Sequence, residues 1–87
     1  MLKGFILITT GTKSPGEDHE IVALIKKVEG VEMANITVTV GGEIYDIIVG
    51  LYAKDINSWN QRALDIEKIV TSHSSAKVHI SNLICIK

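Results

Sequence analysis

Residues 31–53 read VEMANITVTVGGEIYDIIVGLYA, and this stretch decides the fold. In its first half, apolar side chains alternate with polar ones, which is the period of a strand with one exposed face. The pair Gly41-Gly42 supplies the positive φ angles that a tight hairpin turn requires. A mostly apolar, β-branched run follows. The stretch therefore predicts an antiparallel hairpin with strands at 31–40 and 44–53.

The sequence before the hairpin predicts a strand followed by a helix. Residues 2–10 are mostly apolar and β-branched, as expected of a strand. Ser14 and Glu17 have the spacing of a capping box, and Pro15 would occupy the first helical position, so a helix is predicted to begin there. Gly30 is predicted to cap its C-terminus. One apolar stripe at helical spacing is formed by Ile21, Leu24, Ile25 and Val28.

The sequence after the hairpin predicts a second helix and a last strand. Asp55 can cap the helix, and Ser58 with Gln61 is an alternative capping box further along. The polar run at 71–75 ends the helix, and residues 77–86 form the strand. The core-facing side of this helix is predicted to carry Trp59, Ala63, Ile66 and Val70.

The resulting order of elements is βαββαβ. Right-handed crossovers then favour an α+β, ferredoxin-like fold, in which a four-stranded antiparallel sheet carries two helices on one face. The first and third strands are predicted at the centre of the sheet, and the second and fourth at its edges. Because 87 residues without a linker or a low-complexity tract fit one core, we predict a single domain spanning residues 1–87.

The predicted sheet has an apolar face that the helices leave open. Ile6 and Ile8 point to one side of the first strand, while Phe5 and Leu7 point to the other. The third strand is apolar on both sides as well. Burial contributes about 25 cal/mol per Å² of apolar surface, so we predict a homodimer through the open sheet faces, in a dimeric α/β barrel-like assembly. The alternative is a monomer that tolerates scattered apolar residues there.

Composition excludes several classes of protein. Lys plus Arg number 9 and Asp plus Glu number 10, so the chain lacks the basic surplus of a nucleic-acid-binding domain. The single cysteine, Cys85, cannot form an internal disulfide, which favours a reducing cytoplasm. The apolar run at 5–8 is too short for a signal-peptide core or a membrane span. We therefore expect a cytoplasmic protein with no direct contact to nucleic acid or membrane.

Asp46 is the first candidate for a functional side chain. It follows Tyr45 inside an otherwise apolar strand, just after the glycine pair, and a carboxylate in such surroundings needs a partner. In one interpretation it anchors a ligand amine, while backbone N–H groups at Gly41 and Gly42 hold a carboxylate, so that the site takes an amino acid. In the other, it is a strand-end carboxylate that is solvated or bonded to neighbouring backbone.

The sequence contains no motif for a metal, a cofactor or catalysis. His19, His73 and His79 lack metal-site spacing with one another and with Cys85. The serines near His73 lie at a predicted helix end, where serine is common. No Lys-Ser or Lys-Thr follows the glycines, so a phosphate-binding loop is not supported. We expect no metal, no cofactor and no enzymatic activity.

The run GEIYDIIV at 42–49, followed by Ala53-Lys54-Asp55 and a helix, resembles the effector-binding (RAM) domain of Lrp/AsnC, or feast/famine, transcription regulators. That domain typically shows a glycine, one residue, an aromatic residue and an aspartate before an aliphatic strand. The likeness covers essentially the whole chain and implies a stand-alone effector domain without the family's helix-turn-helix. It implies dimers joined through their sheets, association up to an octamer, and a small amino acid bound between dimers near the hairpin.

The resemblance also implies a set of ligand-binding residues, namely Gly41, Gly42, Tyr45, Asp46, His79 and Ser81. Ser81 is the first counterpart of a Thr or Ser that the family places in the last strand near the ligand, and His79 is the second. The chain departs from the family pattern at the hairpin, where Glu43 and Ile44 stand in place of a single residue, consistent with a bulge. It departs again at 71–76, where the family more often has a Pro-Gly-Val turn.

Three functions are compatible with these features. The first is amino acid sensing and oligomerisation as an accessory of Lrp/AsnC-type transcription regulation, including mixed oligomers with full-length regulators. The second is a small dimeric α+β barrel enzyme, for which His79 and Asp46 are the candidates inside predicted strands. The third is a structural oligomerisation module without a ligand, which the extra hairpin residue leaves open. We favour the first, since the resemblance gives Asp46 a role.

Overall fold

A computed structural model describes the chain over residues 1–9, 15–37, 47–73 and 79–85. Side chains are described for residues 1–9, 19–37, 47–73 and 80–84. The elements follow in the order βαββαβ, as the sequence predicts. Their bounds are β1 Leu2–Thr9, α1 Pro15–Ile25, β2 Val31–Ile36, β3 Ile47–Ala53, α2 Ile56–His73 and β4 His79–Cys85.

The described strands form one antiparallel sheet in the order β2-β3-β1-β4. β1 and β3 therefore lie at the centre and β2 and β4 at the edges, and the predicted ferredoxin-like fold is confirmed. Both helices cover the same face of the sheet, with α1 against β2 and α2 against β1 and β3. The opposite face of the sheet is left without a helix in the part of the chain that the structure describes.

The core lies between the sheet and the helices. Successive side chains of a strand point to opposite faces of the sheet, so alternate residues of each strand belong to the core. Ile6 and Ile8 of β1 are fully buried, whereas Phe5 between them is 40% exposed on the other face. In β3 the large buried side chains are Ile47, Val49 and Leu51, which lie on one side of the strand. The helices contribute Ile21, Ile25, Trp59, Ile66 and Val70. Each such side chain contributes about 1.5–3 kcal/mol by leaving water, so the alternation fixes the register of the sheet.

The end of α1 differs from the prediction. The helix ends at Ile25, so Gly30 does not cap it directly. The amides of Lys27 and Val28 bond to carbonyls three residues back, at 3.1 and 2.9 Å, which tightens the chain beyond the helix end. Gly30 then adopts a φ of 88°, and its carbonyl accepts a hydrogen bond from the amide of Tyr52 at 3.0 Å. Gly30 thus lies at the point where the chain enters β2. Only glycine can adopt this φ there without strain.

The start of α2 follows the first of the two predicted caps. The amide of Ser58 donates to Oδ1 of Asp55 at 2.8 Å, which satisfies a backbone donor of the first turn. Ser58 lies inside the helix, so the alternative capping box at Ser58 and Gln61 is wrong. The hydrogen bond from the Ser58 amide lowers the pKa of Asp55 below its ordinary value of 3.8, because it stabilises the charged form.

Replacing this cap is expected to destabilise the protein in a pH-dependent way. Since the pKa of Asp55 is lower in the folded chain than the 3.8 of an unfolded one, its carboxylate stabilises the fold above pH 3.8. That contribution is lost as the pH falls through the lowered pKa. Thermal unfolding should therefore show a lower Tm for Asp55→Ala at neutral pH, with the two proteins converging in acid. A difference that persists unchanged in acid would contradict the capping role.

The hairpin strands are described only in part. A strand was predicted at 31–40, and the observed strand β2 spans Val31–Ile36, with Thr37 directly after its end. Residues 38–40, and the predicted start of the third strand at 44–46, lie outside the described residues. Within β2, the pairing with β3 shifts register between Val31 and Met33. This bulge bends the first part of β2 and interrupts its regular pairing with β3.

Candidate functional site

The open face of the sheet carries a row of residues that crosses all four strands, which we call the apolar row (Met33, Gly50, Phe5 and Leu83). Gly50 of β3 pairs with Met33 on one side and with Phe5 on the other. Phe5 in turn pairs with Leu83 of β4, which is 55% exposed. A Cβ at Gly50 would lie 2.7 Å from Cγ of Met33, so the methionine side chain covers this glycine. The predicted apolar open face is therefore present.

The next row along the open face is apolar at its centre and polar at its edges. Ile48 of β3 pairs with Leu7 of β1, and both side chains are half-buried. Asn35 of β2 stands beside Ile48, and Ser81 of β4 stands beside Leu7. This row separates the apolar row from the end of the sheet, and its outer positions carry an amide and a hydroxyl.

Two of the predicted ligand residues lie at that end of the sheet. Ser81 is half-buried in β4, and His79, two positions earlier, pairs with Thr9 of β1. The side chain of His79 is outside the described part. We call the group Asn35, Ser81, Thr9 and His79 the polar end of the sheet. Ser81 and His79 both lie in the edge strand β4, and their role in ligand binding stays a prediction.

The remaining predicted ligand residues lie outside the described residues; they are Gly41, Gly42, Tyr45 and Asp46. The strands on either side of them are described. Ile36, the last residue of β2, pairs with Ile47, the first residue of β3, and Ile47 pairs with Ile8 of β1. Ile8 also pairs with Ile80 of β4. The hairpin strands and the start of β4 therefore meet at the same end of the sheet.

The chemistry of the polar end suits a small molecule with both polar and apolar parts. Hydroxyl groups of Thr9 and Ser81 and the amide of Asn35 can donate and accept hydrogen bonds. Ile48 and Leu7 provide an apolar floor between them. Binding sites for small molecules commonly combine an apolar lining with a few polar groups. Among the described side chains, no group of three or more metal-binding residues occurs.

A second polar feature lies on the helix side and was not anticipated from the sequence. Arg62 of α2 donates from one guanidinium nitrogen to the carbonyl of Tyr52, and its other nitrogen lies 3.7 Å from Oε1 of Glu29. A Cβ at Gly30 would contact the same guanidinium. Arg62 is the only arginine of the chain, and it follows the buried Trp59 by one helical turn. That spacing was the available signal, since it places Arg62 near the core-facing side.

Two clefts that are lined by described residues flank the helices. One, of about 230 Å³, is lined by residues around Arg62, namely Val28, Glu29, Ser58, Gln61, Arg62 and Asp65. The other, of about 310 Å³, is a shallow groove lined by Glu20, Ala23, Leu24 and His73. In the first cleft, Arg62 is engaged by Glu29 and by the carbonyl of Tyr52, and these contacts tie α2 to the turn that precedes β2 and to β3. Of the described helices, none is long and apolar enough to cross a membrane.

No protein-family model matches the chain, and no curated protein sequence matches it significantly. Solved structures with the same fold do exist, and they agree with this chain over nearly all of its length. The class that the fold defines is thus a small ferredoxin-like α+β domain, in which the described helices cover only one face of the sheet.

Three of these structures are informative. A hypothetical protein from Pyrococcus horikoshii is 23% identical, with a TM-score of 0.71, and the match covers 100% of this chain and 92% of that one. FFRP-DM1, an Lrp/AsnC-family protein, is 22% identical with a TM-score of 0.69, covering 99% and 100%. A transcriptional regulator from Neisseria meningitidis, solved with L-Met, is 20% identical with a TM-score of 0.61, covering 94% and 49%. At these identities the likeness establishes the fold.

Proposed function

We propose that this protein is an amino-acid-sensing and oligomerisation module that acts as an accessory of Lrp/AsnC-type transcription regulation. The observation that carries the proposal is the open sheet face, whose centre is apolar and whose hairpin end is polar. Support comes from the shared fold of FFRP-DM1 over its full length and of the L-Met-bound regulator over about half of its chain. The chain binds its ligand and partners without performing catalysis, in the cytoplasm.

The dimer forms through the apolar row. Phe5 and Leu83 are 40% and 55% exposed in the single chain, and Met33 and Leu7 are half-buried beside them. Two such faces stacked at the usual separation of about 10 Å bury these side chains against one another. A dimeric ferredoxin-like protein from Bacteroides fragilis, with a TM-score of 0.53, has the same fold. Further association of dimers yields the higher oligomer, an octamer.

The ligand binds between dimers at the polar end of the sheet. Asp46 holds the amine of the amino acid, and backbone N–H groups at Gly41 and Gly42 hold its carboxylate. Tyr45 packs beside the ligand, and Ser81 and His79 line the site from β4. Because the site forms between subunits, a ligand that binds one oligomer better shifts the population toward that oligomer. Mixed oligomers with full-length regulators would then change how many DNA-binding domains are presented.

The sensing proposal is tested by thermal unfolding in the presence of each proteinogenic amino acid. One or a few of them should raise the Tm, since a ligand that binds only the folded protein stabilises it by about 2.7 kcal/mol at a hundredfold excess over Kd. Asp46→Ala should abolish that shift, whereas Asp65→Ala, on the helix side at the Arg62 cleft, should keep it. If no amino acid raises the Tm of the parent protein, the sensing proposal fails, and a structural oligomerisation module without a ligand explains the protein better.

A further inference from the structure

The outer edge of β4 lacks the devices that proteins use to prevent strand pairing. β4 reads HISNLIC and contains no Asp, Glu, Lys, Arg or Pro. It pairs with β1 in seven consecutive residue pairs without a register shift, so it carries no bulge over this length. An edge strand exposes a row of backbone N–H and C=O groups that can pair with another strand. In natural proteins, charged residues, prolines or bulges in the edge strand prevent this pairing. In the described part of the chain, β4 is an edge with none of these.

The other edge of the sheet is protected. β2 has a register shift between Val31 and Met33, and Glu32 occupies the shifted position. The carboxylate of Glu32 lies 3.6 Å from Nζ of Lys3, so the edge carries charge as well as a bulge. Two copies of β2 side by side would bring these charges and bulges together. The contrast between the two edges singles out β4 for strand pairing.

We propose that β4 pairs antiparallel with β4 of a second copy of this chain, centred on Asn82, so that two four-stranded sheets become one continuous sheet. Asn82 is the middle residue of His79–Cys85, and this register pairs all seven residues of the strand. Ile80 then lies opposite Ile84 of the partner subunit, and Ser81 opposite its Leu83. No charged residue of the strand faces another, and apolar cross-strand pairs stabilise the ladder.

The new edge contact is compatible with the sheet-face dimer. Leu83 lies beside Phe5 in the apolar row, so joining two sheets along β4 extends one open apolar face into the next. Edge pairing uses the backbone of β4, whereas face stacking uses side chains of the apolar row. The two contacts therefore occupy different surfaces, and together they build an assembly larger than a dimer. Edge pairing along β4 is separate from the proposed sensing function and needs no ligand.

Cysteine cross-linking tests the edge contact directly. In a Cys85→Ser background, Asn82→Cys places two cysteines across the two-fold axis with Cα atoms about 4.5–5.5 Å apart, which is within disulfide range. Ile36→Cys is the matched control, because it places a cysteine on the helix side of the other edge strand, β2, at a position that is 37% exposed. Under mild oxidation of the assembled protein we expect most of the Asn82→Cys chains, and few of the Ile36→Cys chains, to become covalent dimers.

A second pair of variants tests the register without disturbing the hydrogen bond that Trp59 Nε1 donates to Asn82 at 3.3 Å. In the same background, Ser81→Cys and Leu83→Cys should cross-link with each other when mixed and poorly when each is alone. Face stacking cannot mimic the Asn82→Cys result, since the side chain of Asn82 lies toward α2. The proposal is overturned if neither set cross-links in assembled protein, or if Ile36→Cys cross-links as readily as Asn82→Cys.

Discussion

Gly4→Ala is expected to detach β4 from the sheet or to unfold the chain. A Cβ at Gly4 would clash with the carbonyl oxygen of Leu83 and lie 2.9 Å from Cα of Ile84. Both are backbone atoms, so the strand itself must move, and the adjacent pairs between β1 and β4 are lost with it. We expect a destabilisation of about 3 kcal/mol or more, which lowers the Tm of a domain of this size by more than about 10 °C.

Gly50→Ala provides the matched control, since it adds the same methyl group to the neighbouring central strand. There the Cβ would meet Cγ of Met33 at 2.7 Å, and a methionine side chain can rotate away at low cost. Its Tm should therefore fall much less than that of Gly4→Ala. Equal losses of stability in the two variants would show that the close approach of β4 to Gly4 does not hold in solution.

Phe5→Lys is expected to convert the assembled protein into smaller units while leaving the fold intact. Phe5 is 40% exposed at the centre of the apolar row, so the charged side chain reaches water in a single chain. Against a second sheet face it would be buried without a partner, which is strongly unfavourable. Loss of a central aromatic anchor costs about 2 kcal/mol or more, so the dissociation constant should rise by about 30-fold or more.

Leu64→Lys makes a comparable change on the other side of the molecule. Leu64 is 49% exposed on α2, away from the open sheet face. Analytical ultracentrifugation should show weakened self-association for Phe5→Lys and parent-like behaviour for Leu64→Lys, with both variants retaining the parent's circular dichroism. If Phe5→Lys associates as tightly as the parent protein, the apolar row is not the dimer interface.

Much of the fold follows from local patterns that the sequence displays. Phe5 and Ile6 sort to opposite faces because strand side chains alternate, and a slip by one residue would expose the whole core face. Asp55 caps α2 because its carboxylate can reach the amide of Ser58. Both features depend on residues close together in the chain, so the sequence suffices to predict them.

Other features depend on contacts between distant segments, and the sequence does not reveal them. The apolar stripe continues through Val28, so periodicity alone extends α1 past its true end at Ile25. Arg62 reaches the carbonyl of Tyr52 only once α2 packs beside β3. Likewise, no residue near Gly4 in the sequence indicates that the backbone of β4 approaches it so closely. The location of the ligand site near the hairpin and its ligand contacts both stay predictions, because Gly41, Gly42, Tyr45 and Asp46 lie outside the described residues.

The most direct test of the account is the mass of the assembly, measured by light scattering with and without each amino acid. A single chain weighs 9.5 kDa. We expect a mass several times larger that changes when an amino acid identified by thermal unfolding is added, and a mass that stays constant for Asp46→Ala. A particle of 9.5 kDa, or an assembly whose mass and stability ignore every amino acid, would contradict the claim that this protein couples ligand binding to assembly.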